Sequence, residues 1–251
     1  NFRQFTIRVK PGIFFADDPA FGGKPRELVA EDYVYSIKRH FDPRTKSAHH
    51  PDLAELQIRG LEALYEQAVK TGQPFDYDAP VEGLRALDRY TLRVQLDRPA
   101  PRMIYNLTAS LVTAAMAREV VQAQGDQLGG HPVGTGPFRL AQWRRGSLVV
   151  LDRNPGFREM HYAEQAAPGD ARASAVARAL AGRRLPMLDR VEVAIMNEDQ
   201  PIWLSFLQGD QDLTPVPYPY VPLALPGGRL SAPLARRGIE LVALEGSGCC
   251  G

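Results

Sequence analysis

The chain contains little cysteine, and its placement argues against a structural role. Among 251 residues, the two cysteines are Cys249 and Cys250, which are adjacent and almost at the end. Neighbouring cysteines cannot easily bridge each other without strain. They also lack a histidine at the spacing of a zinc site. The sequence therefore argues against a disulfide-stabilised scaffold and a cysteine-based metal centre.

Long apolar runs and an excess of one charge are missing as well. No apolar run approaches the roughly 20 residues that cross a bilayer. Lysine and arginine number 30 against 29 acidic residues, so the net charge is +1. Such a balance gives no overall field that would attract nucleic acid. We therefore expect no nucleic-acid partner.

Motifs for covalent chemistry are not found either. The chain has no Gly-x-Ser-x-Gly nucleophile elbow and no Gly-Lys-Ser/Thr phosphate loop. None of its five histidines forms the helical pair with glutamate that is typical of zinc enzymes. We predict no catalytic residue, no metal and no cofactor. His49 and His50, beside Pro51, keep a metal-assisted hydrolase open as an alternative.

The start of the chain gives no information on compartment. No signal peptide is visible, and the first residues already follow a strand-like pattern without an initiating methionine. We therefore expect the true N-terminus to lie upstream. The length suits one large domain or two small ones.

Hydrophobic periodicity predicts alternating helices and strands. Apolar residues at every second position indicate strands, whereas a spacing of three to four indicates helices. The predicted strands cover residues 5–9, 91–96, 138–142, 148–151, 191–195 and 239–244. The predicted helices cover residues 31–40, 52–70, 114–124, 170–184 and 230–237, with a further helix capped by Asn197 and ended by Gly209. This order is typical of an α/β protein.

A glycine-rich segment opens the central hairpin. Gly134-Thr135-Gly136-Pro137 precedes the strand that begins at Phe138, and the two glycines permit a sharp turn or a positive φ. A turn over residues 144–147 then leads into the apolar strand Leu148–Leu151. A strand rather than a helix follows the glycines, which argues against a phosphate-binding role.

Several stretches resemble the extracellular solute-binding proteins, family 5. These are the peptide- and oligopeptide-binding receptors of ABC importers. The resemblance is carried in order by Ala30–Arg39, Thr91–Leu96, Gly134–Phe138, Trp143–Gly146, Arg153–Pro155 and Leu207–Leu213. It implies an α/β fold of the periplasmic-binding-protein type II kind, with several lobes and mixed sheets, here incomplete.

The resemblance also implies a division into lobes and a mode of action. We expect a smaller lobe over residues 1–130, part of a larger ligand-binding lobe over 131–225, and the start of a crossing to an absent lobe over 226–251. The lobes of this family close around a peptide-like solute and deliver it to a membrane permease. The implied location is periplasmic, or lipid-anchored and extracellular.

The best candidate for ligand contact is a loop rich in proline and tyrosine. Rigid aromatic loops lose little entropy on binding and offer both an apolar face and a hydroxyl group. The candidate residues are Thr214, Pro215, Val216, Pro217, Tyr218 and Tyr220, and the resemblance places the first four at the groove. The loop's prolines lack N–H donors, so the ligand need not be a standard peptide held in an extended form.

Two further interpretations stay open beside this one. His49 and His50 are candidates for facing the groove from the other lobe, where they would touch the ligand. Alternatively, the chain is an interaction module without a small-molecule site, and the proline loop is only a rigid connector.

Overall fold

The computed structural model describes residues 2–108 and 110–242. Its strands are β1 (Gln4–Arg8), β2 (Leu84–Asp88), β3 (Thr91–Gln95), β4 (Phe138–Arg144), β5 (Leu148–Arg153) and β6 (Arg190–Ala194). Its helices are α1 (Ala30–Arg39), α2 (His50–Ala54), α3 (Leu61–Thr71), α4 (Met103–Thr108), α5 (Ser110–Thr113), α6 (Arg118–Gln124), α7 (Ala171–Leu180), α8 (Asp199–Gln208), α9 (Val221–Ala224) and α10 (Ala232–Ala235).

The first sheet is antiparallel, with the strand order β1-β3-β2. Its register pairs Ile7 with Leu92 and sets Val94 opposite both Phe5 and Leu84. Residues opposite one another project to the same face, so one face of the sheet is apolar. Val94 is fully buried there and belongs to the same core as Ile37 of α1. The alternation predicted for β1 and β3 is thus confirmed, while β2 was not predicted as a strand.

The single helix predicted over residues 52–70 is wrong. The structure has two helices, α2 and α3, separated by a bent segment. Gln57 and Gly60 both adopt a positive φ, of 51° and 80°, which a continuous α-helix cannot contain. Between them, Ile58 pairs with Leu96 just beyond the end of β3. A tertiary pairing therefore outweighs the helical periodicity of this segment.

The glycine-rich segment leads into β4, and β4, β5 and β6 form the second sheet in that order. The hairpin turn uses Gly146, with φ +73°. A positive φ is not found at Gly134 or Gly136, and residues 135–137 form a bend, which is the sharp-turn alternative of the prediction. Both glycines also accept hydrogen bonds: Gly134 from the Ala16 N–H, and Gly136 from the Asn154 side chain.

The second half differs from the predictions mainly at the ends of its elements. Glu198 rather than Asn197 occupies the N-cap position of α8, and Gly209 ends the helix with φ +89°, as predicted. No strand forms over 239–242, the described part of the predicted strand 239–244. Cys249 and Cys250 lie outside the described residues.

The chain divides into two compact units. The first comprises Asn1–Trp143 with Val150–Glu192, and the second Arg144–Val149 with Val193–Gly251. The first unit contains the large core around the first sheet. The second unit has a small cluster of buried residues, namely Trp203, Ala224 and Leu234. The three-part division at residues 130 and 225 stays a prediction.

None of the helices in the described residues combines the length and the apolar character needed to cross a membrane.

Candidate functional site

The candidate loop follows α8 and runs from Leu213 to Tyr220 within the second unit. Its far end forms a single 3-10 turn over Tyr218–Tyr220. Prolines at every second position fix φ at their own residues. Each proline also restricts the preceding residue to extended conformations, and Pro217 itself has φ −63° and ψ 142°. The sequence therefore makes this segment stiff before any tertiary contact forms.

Contacts with Trp203 anchor the loop to the body of the unit. The Tyr220 ring stacks on the Trp203 ring, with centroids 5.5 Å apart and an interplanar angle of 19°. Val216 packs against the same cluster, and Pro217 is buried. Stacked aromatic pairs contribute about 1 kcal/mol beyond their burial. The middle and the end of the loop are thus held in place.

Other side chains of the loop project away from this anchor. Leu213 is 84% exposed and Tyr218 is 89% exposed, the highest values among the large apolar and aromatic side chains of the described residues. Thr214 and Val216 are half-buried. The backbone of this loop is fixed by its contacts, while it exposes one aliphatic and one aromatic side chain. Such a surface is suited to contact with a partner molecule.

A cavity lies at each end of the loop, inside the second unit. At the Tyr220 end, a cavity of about 560 Å³ is lined by Pro219 and Tyr220 together with residues 197–201 at the start of α8. At the Leu213 end, a groove of about 520 Å³ lies between residues 211–214 and residues 237–242. Both volumes fall within the range of small-molecule sites.

His49 and His50 belong to the first unit, where they have different surroundings. The His50 ring stacks on Tyr65 at 4.2 Å and meets Phe41 edge-on at 5.0 Å. Its Nε2 lies 3.6 Å from Glu62 Oε2, and neither atom has a hydrogen-bond partner. His49 is more exposed and lies 3.8 Å from Asp52. His50 thus contributes to packing, and ligand contact by either histidine stays a prediction.

His40 is a third imidazole in this region that the sequence did not single out. Its Nδ1 lies 2.6 Å from Ser47 Oγ, and its Nε2 lies 2.6 Å from the Val112 carbonyl. Burial lowers its pKa, because charging a ring out of water is costly. The described residues contain no group of three or more side chains suited to hold a metal ion.

Sequence reasoning did not identify several residues that shape the loop site. Trp203 lies in the helix predicted between Asn197 and Gly209, and the structure adds that its ring holds Tyr220. Leu213 was recognised only as the end of the Leu207–Leu213 motif. The available signal was its position, since it follows the motif's acidic residue Asp212 and lies two residues before the first proline of the loop. Residues 237–242 of the groove gave no sequence signal of this kind.

Comparison with known families assigns the chain to a class. The family model for bacterial extracellular solute-binding proteins, family 5, described as "Middle", matches residues 1–231. The chain therefore belongs to this family, as the sequence motifs predicted. The members of the family are binding proteins.

Curated relatives share about a quarter to a third of their aligned residues with this chain. Di/tripeptide-binding protein 2 of Pseudomonas aeruginosa is 27% identical over 158 residues, which are 61% of this chain and 27% of that protein. The Salmonella typhimurium peptide transport periplasmic protein SapA is 30% identical over 136 residues, or 53% of this chain and 22% of that protein. The matches thus span about a quarter of the length of these relatives.

Solved structures show the same fold. The Escherichia coli murein tripeptide binding protein MppA matches with a TM-score of 0.61 at 21% identity, covering 90% of this chain and 38% of MppA. Haemophilus influenzae OppA, solved in complex with the peptide RPPGFSPFR, gives 0.59 at 19% identity, with 90% and 38% coverage. The predicted α/β fold of the periplasmic-binding-protein type II kind is confirmed.

Proposed function

We propose that this chain is part of the substrate-binding component of an ABC importer, and that it binds a peptide or a peptide-like solute. Membership of the solute-binding family supports this, as do the names of relatives, which include di/tripeptide-binding and oligopeptide-binding proteins. The proposal includes delivery of the solute to permease subunits at the membrane. It also includes a periplasmic location, or a lipid-anchored one outside the cell.

The observation that carries the proposal is the anchored loop. Leu213 and Tyr218 are almost fully exposed, while Val216, Pro217 and Tyr220 hold the backbone between and beside them. A surface ordered before binding loses little conformational entropy when the solute arrives. We propose that the loop contributes part of the binding surface and that the solute leaves chemically unchanged.

Trp203 provides a direct test, since it touches the loop. The chain has two tryptophans, so Trp143→Phe leaves Trp203 as the remaining tryptophan. We expect a peptide pool to change the Trp203 emission and to raise the melting temperature. Mass spectrometry of molecules released on denaturation would name any ligand that co-purifies. A protein that is empty and unaffected by peptide pools would favour the interaction module without a small-molecule site.

The hydrolase alternative makes a different prediction. A metal-assisted enzyme would bind zinc stoichiometrically and would lose activity in His49→Ala. Our proposal expects bound peptides to be recovered intact, with His49→Ala leaving peptide mass spectra unchanged. Cleaved peptides that disappear in this variant would overturn the binding-only proposal.

A further inference from the structure

We propose that the outer face of the first sheet is a docking surface for the anionic phospholipids of a membrane. The face is defined by Thr6 and Arg8 of β1, Thr91 and Arg93 of β3, and Arg85 of β2. The inference goes beyond peptide binding, since it concerns the first unit and not the loop site. It takes from the proposed function only the position of the chain beside a membrane permease.

The strand register places these residues on one side of the sheet. Arg93 stands opposite Thr6 on one neighbouring strand and opposite Arg85 on the other. Residues paired in this way share a face and have Cβ atoms about 5 Å apart. Leu92 and Val94, on either side of Arg93, are buried in the core, and successive side chains of a strand alternate between the two faces. Arg93 and Arg85 therefore extend from the outer face.

The fold leaves the charges of Arg85 and Arg93 uncompensated. Like charges directly opposite each other on two strands are destabilising. Within residues 2–108 and 110–242, neither guanidinium has a hydrogen bond or an ion pair, and the Arg93 Nε is buried without an acceptor. Asp88, at the end of β2, lies near Arg8, but its carboxylate already accepts a hydrogen bond from the Tyr90 N–H. A costly pair without an internal partner points to an anion outside the chain.

The shape of the face suits an extended anionic surface. Arg8 and Arg85 are exposed and Arg93 is half-buried. Neighbouring strands lie about 4.8 Å apart, and residues two apart along a strand are about 7 Å apart. The three guanidinium groups are thus spread over a patch about 10 Å across. The phosphate groups of a membrane surface can contact all three at once, and a guanidinium matches a phosphate with two hydrogen bonds.

Co-sedimentation of the chain with lipid vesicles tests the proposal. The vesicles contain either phosphatidylcholine alone or equal parts of phosphatidylcholine and phosphatidylglycerol, and no peptide is added. We expect the chain to bind the anionic vesicles and not the neutral ones. Binding should fall roughly ten-fold when the salt concentration rises from about 0.1 M to about 1 M, because the screening length falls from about 10 Å to about 3 Å.

Two variants assign the binding to the sheet. Arg85→Thr combined with Arg93→Thr should weaken vesicle binding about twenty-fold, since each arginine near an anionic surface contributes about five-fold. Arg85→Thr alone, on an edge strand, should weaken it about five-fold. Both variants should keep or raise the urea midpoint, because a repulsion is removed and threonine suits strands. Arginines with a purely structural role would lower that midpoint when replaced.

A matched control separates this face from the charge of the chain as a whole. Arg44→Thr combined with Arg102→Thr removes the same charge from two exposed positions of the first unit, outside the sheet. We expect this control to bind anionic vesicles within about two-fold of the parent chain, because screening limits exposed charges to short range.

The remaining outcomes overturn the inference. It is wrong if the anionic vesicles are not bound, if the sheet variants bind them as the parent does, or if the control loses as much binding. Calorimetry with glycerol phosphate and with polyglutamate then identifies a soluble phosphate or an acidic polypeptide as the occupant instead. Each of these failures leaves peptide binding at the loop intact. Vesicle binding by a chain that takes up no peptide would contradict the proposed function alone.

Discussion

At the scale of single residues, Gly83 is the position with the least space. A Cβ atom built there would lie 2.5 Å from the Arg59 nitrogen, 2.6 Å from the Gln95 oxygen and 2.7 Å from the Arg59 oxygen. All three are backbone atoms, so no side-chain rotation can relieve the clash. The Gly83 N–H donates a hydrogen bond to the Arg59 carbonyl, and the Gly83 carbonyl accepts one from the Gln95 N–H. Because Gly83 has no side chain, the segment before α3 can approach the start of β2 and the end of β3 closely.

We predict that Gly83→Ala destabilises the protein by about 3 kcal/mol, because the added methyl group would force the backbone segments apart. Urea denaturation followed by circular dichroism measures this effect. Gly129→Ala is the control, since a Cβ there meets nothing within 4 Å. Equal midpoints for the two variants would show that the close approach at Gly83 does not limit stability.

Glu27 illustrates how one side chain joins several segments. Its carboxylate accepts hydrogen bonds from the Gly12 N–H at 2.7 Å, from Arg89 Nη2 at 2.8 Å and from the Tyr90 hydroxyl at 2.9 Å. The hydrogen bond from Arg89 is the largest cause that lowers the pKa of Glu27, to about 2. The charged carboxylate thus connects the turn after β1 with the β2–β3 turn.

We predict that Glu27→Gln is less stable than the parent chain at neutral pH, and that this difference shrinks in acid. Because the pKa of Glu27 is lower in the folded state, its charged carboxylate stabilises the fold fully above the unfolded-state pKa of about 4.5. That contribution is lost as the pH falls toward 2. Chemical denaturation at pH 7, 5 and 3 measures the effect. Glu66→Gln, on the exposed side of α3, serves as the control, and a difference independent of pH would contradict the assignment.

At the scale of elements, periodicity predicts those segments that bury one regular face. β1, β3 and α1 fall into this group, since their apolar positions alternate or recur with the helical spacing. The break between α2 and α3 could not be predicted this way. It depends on the pairing of Ile58 with Leu96, which is 38 residues away in the sequence. A pairing between residues far apart in the sequence does not change the spacing of apolar residues around either of them, so this spacing cannot predict it.

The loop site was predictable in its composition but not in its geometry. Its prolines and tyrosines indicate a rigid aromatic surface from the sequence alone. Which of the two tyrosines faces inward depends on the helix that packs behind the loop. Trp203 settles this by stacking on Tyr220, while Tyr218 stays exposed. The side that a loop presents is thus a tertiary property.

At the scale of the whole molecule, the two units differ in the size of their cores. Among the residues that the structure describes, the core cluster of the first unit contains 21 buried apolar residues, whereas the cluster of the second unit contains three. Apolar burial is the main favourable contribution to folding, at about 25 cal/mol per Å². Local opening is easiest where few apolar contacts resist it. The candidate loop belongs to the unit with the smaller core.

This difference leads to a prediction for hydrogen exchange. We expect amides of α8 and α9 to exchange at least ten-fold faster than those of β3, because opening the second unit exposes far less apolar surface. Mass spectrometry of peptic fragments resolves the two regions. A bound peptide would add its binding free energy to the folded form alone, so a peptide that binds should slow exchange in α8 and α9 and leave β3 unchanged. Equal rates in both regions without peptide would show that the units open together, and that the small cluster around Trp203 does not set the stability of the site.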